Sequence, residues 1–282
     1  MDRTTRSLLF GTGGIPKRTP PLRSTVDGIG RIAEVGLECM EVEFVQGVKM
    51  SPATASQVRE AAQKAGVRLT AHGPYAINLN SADPVKVQES KERILQTARR
   101  GKECGAESIV FHAGFYGDAG PKEAHRMIKV ALAEIMEELR KEKLSLSVRT
   151  ELTGKVTDYG SLEEVLRIAS EIPGVAPCLD FAHLHARTGR FNTYAELTSV
   201  LDIVETELGR VALDSLHAHV SGIEYAKHGE KKHLPLQESD FHYVELLRAF
   251  KDRSVKGFII CESPDEVKED DALLLQRSFQ SL

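Results

Sequence analysis

Apolar residues in this chain fall in short runs, separated by longer stretches where apolar positions recur every three or four residues. Short, β-branched runs fit buried strands, and the wider spacing fits amphipathic helices. The runs cover residues 7–12, 39–44, 67–71, 109–111, 144–150, 176–179, 215–218 and 257–261. Between them, Ser51-Pro52 and Asp83-Pro84 each offer an N-cap followed by proline at the first helical position. Pro121 opens a long helix with the stripe Ile128, Leu132, Ile135, Met136 and Leu139, and Ser161 with Glu164 makes a capping box. Further helices are expected near 26–33, 194–208, 241–250 and 270–279. Eight strand-then-helix units with short connections imply a parallel sheet closed on itself. The expectation is one α/β domain over 1–282: a single (β/α)8 TIM barrel with its active site at the C-terminal ends of the strands.

Composition leaves that expectation standing. The 282 residues are 41% hydrophobic and 28% charged, and no linker or low-complexity segment divides them. A net charge of −4 gives no global attraction for polyanions, so nucleic-acid binding would need a local patch. Lys17, Arg18, Arg23, Lys49, Arg187, Arg190, Lys227, Lys231 and Lys232 fall in loops expected on the C-terminal face and would supply one. The four cysteines include no C-x-x-C pair, as expected of reduced core residues in a cytoplasmic protein. Neither a membrane-length apolar run nor a signal-peptide core is present. Gly11-Thr12-Gly13-Gly14 invites a dinucleotide fingerprint, but Pro16 stands where the third glycine belongs, which rules it out.

Six of the predicted strands run into a residue type that binds metals: His72, His112, Glu151, Asp180, His219 and Glu262. His183 lies three residues past Asp180, on the turn leaving that strand, and His233 in the loop after His219. Singly, such residues are ordinary solvated or hydrogen-bonding side chains; their number and common position are what suggest a site. Nitrogen and carboxylate donors in this density suit zinc or manganese. They suffice for two ions, which Glu151 could bridge at roughly 3.5–4 Å. Glu41 and Glu43 share one face of the second strand and either line the cavity or bond to neighbouring strands and loops. His217 has the face parity of His219 and is either a deeper donor to the ligands or no part of the site. His125 and His242, near the starts of outer helices, are expected in solvent.

These residues are recognisable. The arrangement resembles the endonuclease IV family of zinc-dependent apurinic/apyrimidinic endonucleases, within the wider xylose-isomerase-like barrels, over nearly the whole chain. The residues that carry the resemblance are His72-Gly73-Pro74-Tyr75 with Asn78-Leu79, Phe111-His112-Ala113-Gly114, Asp180-Phe181-Ala182-His183, His219, and Cys261-Glu262-Ser263-Pro264. It implies one zinc on His72, His112 and Glu151, a second on Glu151, Asp180, His219 and Glu262, and a third on His183 and His233. It also matches Tyr75 to a tyrosine that the family inserts into DNA.

The chain departs from the family where an Asp-x-His pair would complete the third zinc. Here the run is Lys231-Lys232-His233, with Glu230 the nearest carboxylate. The expectation is two ions held firmly and a third that is weak, water-completed or absent. The Glu151 segment, Thr150-Glu151-Leu152-Thr153-Gly154, is looser than the family's, and Gln46-Gly47-Val48-Lys49 is all that occupies its DNA-contacting loop. The resemblance is to a divergent member. It implies a monomer that hydrolyses DNA 5′ to abasic sites, with Glu151 central to catalysis. The rival readings are a sugar isomerase or epimerase of the same barrels, sharing Glu151, Asp180, His219 and Glu262 around one ion, and a non-catalytic DNA-binding relative.

Overall fold

The computed structural model describes residues 7–20 and 23–282. Its elements in chain order begin β1 (Leu8–Gly13), α1 (Thr25–Glu34), β2 (Cys39–Glu43), α2 (Pro52–Ala65), β3 (Arg68–His72), α3 (Pro84–Cys104), β4 (Ser108–Phe111), β5 (Gly114–Phe115) and α4 (Gly120–Lys141). They continue with β6 (Ser147–Glu151), β7 (Asp158–Tyr159), α5 (Leu162–Glu171), β8 (Val175–Asp180), α6 (Phe181–Thr188), α7 (Tyr194–Leu208) and α8 (Arg210–Asp214). The last are β9 (Leu216–Val220), β10 (Gly222–Ala226), β11 (Gly229–Leu234), α9 (Tyr243–Asp252), β12 (Gly257–Cys261) and α10 (Lys268–Ser281). Eight strands close into a barrel in the order β1-β12-β9-β8-β6-β4-β3-β2, each neighbouring pair parallel. This is the (β/α)8 barrel that the alternation of runs and stripes predicts.

Local chemistry sets the helix ends. Ser51 and Asp83 cap α2 and α3 ahead of their prolines, and Ser161 with Glu164 forms the expected capping box on α5. Gly66 and Gly105 close α2 and α3 in the left-handed conformation, at φ 71° and 87°. Strand parity sorts the rest. Met40, Val42, Leu69, Ala71, Ile109, Phe111, Ala218 and Val220 join the main core that the helices cover, while Leu9, Cys39, Phe258 and Ile260 pack separately. The intervening residues of the same strands point to the barrel axis. His125, expected in solvent, is instead buried, with Nδ1 2.8 Å from the Tyr159 hydroxyl and Nε2 2.9 Å from Glu171. Its helix lies across β7, which supplies both cover and partner.

The C-terminal face carries elements that the pattern of runs does not predict, among them the small antiparallel β5–β7 pair. The turn after β8 is the helix α6, with Asp180 as its N-cap. The long segment after β9 is an antiparallel hairpin, β10–β11, docked on the loop that follows β6. Gly229 makes that docking: its φ is 92°, and a Cβ there would lie 2.1 Å from the Gly154 carbonyl oxygen. Among the described residues, no helix is long and apolar enough to cross a membrane.

Candidate metal centre

The C-terminal ends of β3, β6, β8 and β9, with the residues just past β4 and β12, bring the six strand-end side chains together. The structure gathers His72, His112 and Glu151 into one group and Glu151, Asp180, His219 and Glu262 into another, sharing Glu151. Asp180, His183 and His233 form a third. Within each group one ligand atom per residue lies within 4.8 Å of the others. Glu151 is the hub: Oε2 stands 3.0 Å from His72 Nε2 and 3.2 Å from His112 Nε2, and Oε1 3.3 Å from His219 Nδ1.

The histidines are oriented as ligands are. Nδ1 of His72 lies 2.8 Å from the Gly73 carbonyl, Nδ1 of His183 lies 3.1 Å from Leu152 O, and Nδ1 of His233 lies 2.8 Å from Glu262 O. Each carbonyl can only accept, so each Nδ1 carries a proton, and Nε2, turned to the centre, is the nitrogen that could give its lone pair to an ion. Asp180 behaves similarly. Its Oδ1 accepts the His183 backbone N–H at 2.7 Å, while the buried Oδ2 accepts no hydrogen bond. An orphaned carboxylate oxygen among imidazole lone pairs is the environment a divalent cation satisfies, and the donor set fits zinc or manganese.

The electrostatics agree. Burial acts to raise the Glu151 carboxyl, but His112 and His219 beside it hold it well below the usual range. Burial raises Asp180 to about 6, the carboxylates Glu262 and Glu151 adding to the rise against the pull of His183 and His233. Burial acts to lower His72, yet Glu151 outweighs it and lifts the imidazole to about 9; His183 and His219 are raised well above their ordinary value despite burial. So many buried carboxylates demand counter-charge, from protons or from metal.

The third group corrects one expectation. Lys231 does not occupy the aspartate's place. The pairing of β10 with β11 slips between Glu224 and Tyr225, which face Lys232 and Glu230 respectively, so Lys231 is an extra residue. That bulge reverses the side-chain parity beyond it. Glu230, three residues before His233, therefore takes the inward position, with Oε2 3.4 Å from His183 Nε2. Lys231 turns outward, its ammonium 3.2 Å from Glu224, so the repulsion expected of a cation at the site does not arise. Gly154 makes room for this: a Cβ there would fall 2.6 Å from Glu230 Cβ and 3.0 Å from His183 Cδ2.

Around the mouth, Tyr75 is 65% exposed, its ring centroid 6.0 Å from that of His72 and 6.4 Å from that of His112. The nine basic loop residues make a weaker patch than expected. Lys17 pairs with Glu266 at 2.5 Å, Arg18 with Asp270 at 2.6 Å, and Lys232 shares Glu224 with Lys231 at 3.4 Å. Arg187 donates to the carbonyls of Thr153, Lys155 and Asp158 and so braces the loop after β6. Below the candidate ligands lies a wholly buried layer of Glu41, His217, Cys178 and Thr70. Burial raises the Cys178 thiol to about 12 and lowers the His217 imidazole to about 4. Of this layer, strand parity marks only Glu41 and His217 in the sequence; Cys178 and Thr70 read as ordinary strand residues.

Comparison with known proteins matches the same fold. A family model described as xylose isomerase-like TIM barrel covers residues 29–282. An uncharacterized protein of Methanocaldococcus jannaschii is 38% identical over 276 residues, 98% of each chain. A probable endonuclease 4 of Streptomyces avermitilis is 25% identical over 244 residues, 75% of this chain and 77% of that one. Among solved structures, endonuclease IV from Thermus thermophilus superposes with a TM-score of 0.77 at 17% identity, covering 97% of this chain and 99% of that one. A D-tagatose 3-epimerase-like protein gives 0.70 at 18%, covering 97% and 96%.

Proposed function

The chain belongs to the xylose isomerase-like TIM barrel family, and on that premise we propose that it is an endonuclease IV-like, metal-dependent hydrolase of DNA phosphodiesters 5′ to abasic sites. The observation that carries the reading is the third ligand group. His183, His233 and Glu230 extend the donors beyond the Glu151, Asp180, His219 and Glu262 quartet that a mononuclear sugar epimerase needs. Similarity to probable endonuclease 4 proteins supports the same choice.

In this reading His72, His112 and Glu151 hold one ion, and Glu151, Asp180, His219 and Glu262 a second. His183, His233 and Glu230, with Asp180 at their edge, hold a third. Bound divalent ions supply Lewis acidity toward a phosphodiester and its attacking water. The chain's own part is positional. Glu151 fixes the spacing of two ligand sets, and the carbonyl ties on His72, His183 and His233 keep their nitrogens aimed before substrate arrives. Tyr75, exposed at the rim, would fill the stack left by an extruded abasic nucleotide, whose missing base makes extrusion cheap. Exposed Lys49, Arg190 and Lys227 contribute phosphate contacts. The protein is taken to act in the cytoplasm as a monomer.

The test is a labelled duplex carrying one abasic-site analogue, incubated with protein and zinc or manganese. Incision immediately 5′ to the lesion, lost on chelation, is expected. Sugar epimerisation with one metal per chain and no incision would establish the epimerase instead. Lesion binding without turnover at full metal loading would point to a non-catalytic relative.

A further inference from the structure

The carbonyl ties extend to three of the five histidines in the ligand groups. His72, His183 and His233 are held through Nδ1 by backbone carbonyls, whereas Nε2 of His219 faces a buried side chain. Glu41 Oε1 stands 3.0 Å from that nitrogen, while Nδ1 of the same ring faces Glu151 Oε1 at 3.3 Å and Glu262 Oε1 at 3.4 Å. We propose that Glu41 is a positioning residue for the second ligand group, holding the Nε2–H of His219 and so presenting Nδ1 as the atom that binds the ion.

Glu41 has no exposure to solvent and sits on β2, across the barrel interior from β9. A carboxylate buried so completely must be met by donors, since it offers only acceptors. Three surround it. The Thr70 hydroxyl donates to Oε2 at 2.7 Å, His217 Nε2 lies 3.2 Å from Oε2, and His219 Nε2 lies 3.0 Å from Oε1. The imidazole separations are of hydrogen-bond length while the rings stand off the ideal N–H···O line, an offset within the broad torsional freedom of a histidine ring. One proton arrangement satisfies the whole layer. His217 carries its proton on Nε2, leaving Nδ1 to accept from the Ser108 hydroxyl at 3.3 Å, and His219 carries its proton on Nε2 as well. The opposite tautomer of His219 would set an Nε2 lone pair against the oxygens of Glu41. It would also aim an N–H at the position the metal must occupy.

Glutamine at position 41 cannot serve. Its single carbonyl oxygen can take one imidazole, and its amide N–H groups then face the N–H of the other. The resulting frustration falls on His219 or on His217. His72, His112, His183 and His233 have no contact with Glu41 and keep their orientation. The proposal rests on the cluster binding metal and is independent of which reaction it performs.

The experiment compares wild type and Glu41→Gln by metal content after dialysis against graded chelator, and by the d–d spectrum of the cobalt-substituted proteins. One equivalent is expected to weaken roughly 10–100-fold, the range for losing the partner of a ligand histidine, with the others retained and a changed cobalt spectrum. Glu41→Asp, which keeps the charge, is expected to recover part of the loss. Equal chelator resistance in wild type and Glu41→Gln would overturn the role of Glu41 alone. A wild type that binds no metal would overturn the metal reading beneath it. Should Glu41→Gln fail to fold, histidine-labelled wild type decides by nitrogen NMR: one histidine coordinated through Nδ1 with a proton on Nε2 is expected, and coordination of His219 through Nε2 would overturn the proposal.

Discussion

Nε2 of His183 faces Nε2 of His233 across 3.1 Å, and the far nitrogen of each ring is spent on a backbone carbonyl. Two ring nitrogens so placed need a proton or a cation between them. Tetrahedral zinc with bonds of 2.0–2.1 Å sets its ligand nitrogens about 3.3 Å apart, close to the distance observed. His233→Ala is therefore expected to remove one metal equivalent, by elemental analysis, while the ions around Glu151 remain. Unchanged stoichiometry would remove these two histidines from the ligand set.

The bulge at Lys231 makes a sharper prediction. Glu230→Gln should weaken the third ion by roughly tenfold or more, because a neutral amide replaces a charged donor. Deleting Lys231 should do far less. Without the extra residue β11 pairs regularly with β10, and Glu230 then stands two residues before His233 on the same inward face. Titration of the third site in both variants checks this. A deletion as damaging as Glu230→Gln would show that regular pairing does not return the glutamate to the inward face.

Much of this architecture is legible in the sequence because strand parity is a strong constraint. A residue that ends a buried run, such as His72 or Asp180, must point either to the axis or to the helices, and the run fixes which. Glu41 and His217 follow by the same rule, although nothing in the sequence says that they meet. What stays hidden depends on partners far along the chain. His125 reads as the exposed start of an amphipathic helix until Tyr159 and Glu171 close over it. Lys231 reads as the aspartate's replacement because spacing counts along an unbroken strand, and a bulge leaves no signal in composition. The basic loops mislead for the same reason, since Glu266 and Asp270 lie distant in sequence from Lys17 and Arg18 and adjacent in space.

Tyr75 should separate substrate binding from metal binding. Its ring is exposed above His72 and His112 but offers neither a close donor nor burial to the ions. Tyr75→Ala is expected to reduce affinity for abasic duplex about tenfold or more, in line with roughly 1–3 kcal/mol for an aromatic stacked on a base. Metal content should not change. Gel-shift titration with lesion and intact duplexes reads the first, elemental analysis the second; equal lesion affinity would exclude a wedge.

Away from the site, Glu171 carries a pH-dependent share of stability. Slight burial acts to raise its carboxyl, but bonds from His125, Arg167 and Lys129 at 2.9, 3.0 and 3.1 Å bring it down to about 2 from an ordinary 4.5. A depressed carboxyl stabilises the fold at pH above its unfolded value, and the contribution fades as pH falls through the folded one. Glu171→Gln should thus lower stability by about 1–2 kcal/mol at pH 7, the range for charge-assisted bonds at a partly exposed site. The gap to wild type should close between pH 4.5 and 2, measured by urea melts across that interval. A gap independent of pH would mean the bonds matter as packing and not as charge.

Glu151 is the most demanding case. Its two oxygens face different ligand groups, Oε2 toward His72 and His112 and Oε1 toward His219, so in the proposed reading its charge would be shared between two ions. Glu151→Gln keeps the volume and removes that charge. An amide has one acceptor oxygen and an N–H2 that would confront a ligand nitrogen or a cation. Both ions adjoining Glu151 should therefore be lost or loosened together, and incision should fall at least about a thousandfold, as when preorganised electrostatic groups are removed. The third ion, held by His183, His233 and Glu230, should persist. Circular dichroism should stay native, because glutamine conserves the volume of the buried side chain and leaves the barrel packing unchanged. Loss of only one ion, with the other at full strength, would show that Glu151 serves a single metal and does not bridge.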